Sequence, residues 1–163
     1  MERKVEVRNL FGECRFPNMA DIYLPEKKWH SFVLINWNDE TEIPAAFQLT
    51  EKTISGLKKD RVYLVAEFYS GCYQTDIKYG DTVSMGVILP HGSAVFKIQE
   101  YDPAMPFIVK STAHYSIGGE TEVLKIEKET LIFEMQYLFE TESIYHVLLP
   151  EGYETKDHNR EVE

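Results

Sequence analysis

The chain is short of basic side chains: 17 lysines and arginines face 27 aspartates and glutamates, a net charge of −10 over 163 residues. A nucleic-acid surface needs a stripe of Lys and Arg to displace the counterions held by phosphates, and no such stripe occurs. The same deficit disfavours adsorption to an anionic membrane. No apolar run approaches the ~20 residues that a spanning helix requires, and Met1–Arg8 lacks the apolar core of a signal peptide. Neither nucleic acid nor membrane is therefore expected as a partner. Cysteine is scarce as well. Cys14 and Cys72 stand alone without a CxxC pair, which gives no disulfide framework. Two reduced thiols in a cytoplasmic protein are the expectation.

Self-sufficient catalytic motifs are also missing. His30, His91, His114, His146 and His158 form no HxH, HxxxH or HExxH, so no metal-ligand spacing stands out, and surface or turn positions are expected for them. Acidic pairs such as Asp39-Glu40 follow from the abundance of acid and lie beside nothing that would tune a pKa. Ser70-Gly71-Cys72 with the distant His91 is not a nucleophile signature, and there is no GxSxG elbow. Ser116-Ile117-Gly118-Gly119 lacks the lysine and following helix of a phosphate loop. The sequence assigns no catalytic residue, no metal and no cofactor, and the expectation is a protein that is not an enzyme.

What is present is strand material. Aromatics reach 13%, with ten Tyr and nine Phe, which suit a pleated, half-buried surface. Phe32-Val33-Leu34-Ile35 is a continuous apolar run between Trp29 and Trp37, as in a strand buried on both faces. In Arg61–Tyr69, Val62, Leu64, Ala66 and Phe68 alternate with Tyr63, Val65, Glu67 and Tyr69. Pro44 places the 41–49 strand at an edge, because proline donates no ladder bond. Residues 50–57 suggest one helical turn stopped by Gly56. Val83–Leu89 and Ser93–Gln99, joined by Pro90-His91-Gly92, suggest a hairpin. Turn signals every 8–12 residues and almost no helical period predict an all-β antiparallel sandwich of about 8–10 short strands. The expected organisation is a single domain over residues 1–153, with a lead-in at 1–27, main strands at 28–102 and closing strands at 103–153. A polar tail follows at 154–163.

Five stretches carry a family resemblance. Trp29–Glu40 is similar to the opening strand of the C-terminal β-sandwich domain of α-galactosidases. Tyr63–Tyr73, containing Phe68-Tyr69-Ser70-Gly71, resembles that domain's strand and turn, with Tyr69 where the family usually has tryptophan. Val87–Ser93 resembles its Pro-His-Gly hairpin, and Ser116–Gly119 and Leu149–Tyr153 its closing strands. The resemblance spans residues 20–153. It implies a non-catalytic accessory module, because the catalytic aspartates of those enzymes sit on a separate (β/α)8 barrel of ~250 residues. Its implied partners are a glycosidase subunit or barrel domain, with a homo-oligomer also open. The alternative is a free-standing carbohydrate-binding module that stacks Trp37, Tyr69 and Tyr73 on sugar rings. Trp37 so regularly marks the fold in the series that packing is expected of it. A lesser alternative is a small enzyme with a site assembled from distant strands.

Overall fold

The structure is a computed structural model and describes residues 5–8, 18–25, 28–135 and 142–154. It is all-β and antiparallel, consistent with a sandwich. Twelve strands occur among the described residues, more than the sequence suggests, and no helix is among them. No helix of the described residues is long and apolar enough to cross a membrane.

A six-stranded sheet forms the middle of the fold. It comprises β1 (Val5–Arg8), β2 (Met19–Leu24), β3 (Trp29–Ile35), β8 (Ser93–Glu100), β5 (Val62–Glu67) and β6 (Tyr73–Lys78), in that spatial order. Part of the expected lead-in is thus built into the sheet, with β2 pairing with Trp29 to Leu34 of β3. One face is covered by β4 (Ile43–Gln48) paired with β7 (Thr82–Ile88). Phe32, Phe47 and Phe96 meet there, with ring centroids 4.7 to 6.1 Å apart. Met19, Leu34, Val65, Val83 and Ile98 complete that core. Each such side chain contributes roughly 1.5–3 kcal/mol by leaving water.

The other face receives β9 (Phe107–Ser111), which pairs with β12 (Tyr145–Leu148). Phe107, Ile108 and Ile117 pack there on Leu64 and Ala66. The hairpin of β10 (Thr121–Glu127) and β11 (Thr130–Met135) adds Leu124 and Phe133. The double alternation in β5 has this cause, since Tyr63 and Val65 join the first core and Leu64 and Ala66 the second; in β3, Phe32 and Leu34 join the first core while Val33 and Ile35 on the other side are half-buried.

Two local expectations are corrected. β7 and β8 are not a hairpin, since β7 pairs with β4 while β8 lies between β3 and β5. Burial decides this. Residues 94–98 of β8 are all buried and suit a central position, whereas β7 alternates and suits an outer layer. Pro90-His91-Gly92 is therefore a crossing between layers. Residues 50–57 form turns without a helix. A single turn fixes several dihedrals for one hydrogen bond, and here Leu49, Ile54 and Leu57 are spent on capping the core. Pro44 does lie in a strand with one paired neighbour. The irregular 9–16 stretch, including Cys14, and residues 155–163 of the tail lie outside the described residues.

Candidate functional site

The pairing of β3, β8, β5 and β6 brings distant stretches to one end of the central sheet. Ile35 pairs with Ser93, the Phe68 amide donates to Val95 O, and Tyr73 pairs with Ala66. The C-terminal ends of β3 and β5 thus lie beside the N-terminal ends of β8 and β6. Trp37 in the segment after β3, Tyr69 in the turn after β5 and Tyr73 at the start of β6 all fall at this end, with β8 lying between β3 and β5. They are 45%, 63% and 44% exposed. Trp29 takes the buried role, and Trp37 stands past the last sheet pair of β3.

Buried polar side chains hold the two turns that carry Trp37 and Tyr69. Asn36 is fully buried and its Nδ2 donates to Thr41 O at 2.8 Å and Ile88 O at 3.0 Å. Its Oδ1 accepts from the Asn38 amide at 3.0 Å. Glu67, also buried, accepts from the Ser70 amide at 2.6 Å, the Ser70 hydroxyl at 2.7 Å and the Val95 amide at 3.3 Å. Gly71 closes that turn at φ +69°, against the aliphatic stem of Lys110. Charge-assisted bonds to a buried carboxylate are about twice as strong as neutral ones. The aromatic end is therefore preorganised by its own backbone. An exposed contact of 3.1 Å between His91 Nε2 and the Asp39 carboxylate flanks it.

A different polar group lies inside the second core. Lys97 on β8 is 2% exposed. Ser31 and Ala66, its small cross-strand neighbours, leave it room. Its Nζ donates to Ile108 O at 3.1 Å and Ile117 O at 3.2 Å, and sits 4.0 Å from the Trp29 ring. Two carbonyls and a π face thus surround Nζ. Burial drives its pKa from 10.5 down to about 7, opposed by the Glu120 carboxylate. An amine this enclosed staples β8 to β9 and the 112–120 loop. A cleft of about 930 Å³ lies alongside, lined in part by Trp29, Lys97, Gln99 and Glu120.

Among the described residues no three His, Cys, Asp or Glu groups converge to hold a metal. Cys72 is an exposed free thiol. His30 departs from the expected surface or turn position, being buried against Asp21 with Nδ1 2.8 Å from Oδ1. Sequence reasoning missed Asn36, Glu67, Lys97 and the Asp21–His30 pair as organising groups. The one available signal was position: each is a polar residue inside or abutting an apolar strand. No protein-family model, curated protein or solved structure matches this chain.

Proposed function

We propose that this chain is a non-catalytic recognition module that binds carbohydrate through its aromatic end. The observation that carries this is the gathering of exposed Trp37, Tyr69 and Tyr73 at one end of the central sheet. Sugar rings have apolar C–H faces that stack on aromatic rings, while their hydroxyls need hydrogen-bonding neighbours. Ser70, Asn38 and the Asp39–His91 pair lie in the same turns. The geometry is held in place before binding, which lowers the entropy cost of association. The test is titration with galactosides and plant polysaccharides, followed by tryptophan fluorescence and heat. Saturable binding that Trp37→Ala or Tyr69→Ala weakens supports the reading. Binding that survives both substitutions refutes it.

A second reading, an accessory domain that docks on a glycosidase, rests on a different observation. Val87 and Leu89 are exposed near Trp37, which extends the apolar surface beyond what sugar stacking uses. Three of the stretches that resemble the α-galactosidase accessory domain, around Trp37, Tyr69 and His91, also meet at this end. Co-purification with a glycosidase subunit, lost on Leu89→Asp, supports docking. The exposed Cys72 thiol suits a reducing, cytoplasmic setting for either role.

A further inference from the structure

The opposite end of the central sheet holds a cleft of about 650 Å³ on the face that carries Phe32 and Phe96. Asp21, Tyr23 and His30 share that face of β2 and β3, with Tyr23 opposite His30 in the register. The Asp21 carboxylate lies 2.8 Å from His30 Nδ1, and both residues are buried. The Tyr23 ring stands 4.8 Å from the imidazole. An imidazole that donates Nδ1–H to a carboxylate has its orientation fixed, and in the imidazolium form it presents Nε2–H as a second donor. His30 lines the cleft, and its Nε2 has no hydrogen-bond partner among the described residues.

The remaining lining is rich in donors. Lys28 and Lys58 bring ammonium groups, and Ser55, Gly56 and Leu57 bring a loop whose amides reach no backbone carbonyl. Gly56 has φ +81° with open space where a side chain would stand. Successive unpaired amides around such a residue form an anion-binding concavity. The Glu100 carboxylate in the cleft is held by Lys58 at 2.8 Å and Arg61 at 3.8 Å. Asp21 is occupied by His30. Donors are thus left over and carboxylates are not, on a chain whose net charge is −10.

The geometry points to a small-oxyanion site in this cleft: the imidazolium form of His30, with Nδ1–H held by Asp21, donates Nε2–H to a phosphate or carboxylate group together with Lys28 and the 55–57 amides. This site is separate from the aromatic end and does not depend on the carbohydrate reading. The test is titration of the full chain with inorganic phosphate and, separately, acetate, following the His30 ring resonances by NMR and the heat by calorimetry. Saturable binding of either anion with a His30 ring shift is expected, the tighter one naming the class. His30→Gln weakens it about tenfold or more and the exposed Lys28→Ala about threefold, while Trp37→Ala leaves it unchanged. Lys28→Ala keeps the test decisive if His30→Gln does not fold. No saturable shift at millimolar anion, or binding unaltered in Lys28→Ala and in folded His30→Gln, overturns the proposal.

Discussion

Raising the pH from 7 to 9 should stabilise this protein through one side chain, Lys97. Its pKa is lowered from 10.5 to about 7 by burial. Between those two values the unfolded chain keeps the proton that the folded chain has lost. Stability therefore rises with pH across that window, and below it both states are protonated and the dependence vanishes. Each pKa unit corresponds to about 1.4 kcal/mol, so this group adds roughly 2 kcal/mol between pH 7 and pH 9. Other groups titrate in the same range, and Lys97→Met isolates the one of interest. Methionine matches the stem but leaves the Ile108 and Ile117 carbonyls unpaired, at about 1–3 kcal/mol each. At pH 6 that loss is offset by relief from burying a charge; at pH 9 it is not. Urea unfolding of both proteins at pH 6, 7, 8 and 9 gives the comparison. The expected result is a gap that widens with pH, by roughly 2 kcal/mol from pH 7 to pH 9. Parallel profiles would refute a depressed Lys97.

Glu67→Ala should cost about 1–3 kcal/mol in denaturant, because it unpairs the buried Val95 amide and frees the Ser70 turn. Glu67→Gln should retain most of that stability. Gly118→Ala should cost about 1–3 kcal/mol in the same assay. Its φ is +94° and the new Cβ would stand 2.7 Å from Ile108 Cδ1. Phe96→Ala should lose about 3–5 kcal/mol by thermal or chemical unfolding, as a fully buried ring between two others. Trp37→Ala should change stability by less than about 0.5 kcal/mol while weakening sugar binding roughly tenfold; a large stability loss would assign Trp37 to packing.

Sequence alone determined the class of structure here. The β-branched and aromatic runs, the turns every 8–12 residues and the absence of a helical period depend on local preferences that survive any arrangement of layers. The burial of β3 was legible because Phe32–Ile35 leaves no polar face, and the edge position of β4 because Pro44 cannot donate. Pairing was not legible. Pro90-His91-Gly92 is turn chemistry whether the chain folds back in the same sheet or crosses to another, and only the double-sided burial of β8 sends β7 elsewhere. Trp29 and Trp37 look alike as bookends of one run, yet one is buried beside Lys97 and the other stands past the sheet. The candidate sites depend wholly on contacts between distant residues. Trp37 and Tyr69 share an end because β8 lies between β3 and β5. Asp21 reaches His30, and Lys97 reaches Ile108 and Ile117, across strands that no sequence spacing links. A buried charge is tolerated only where such partners converge, and that convergence belongs to the tertiary structure.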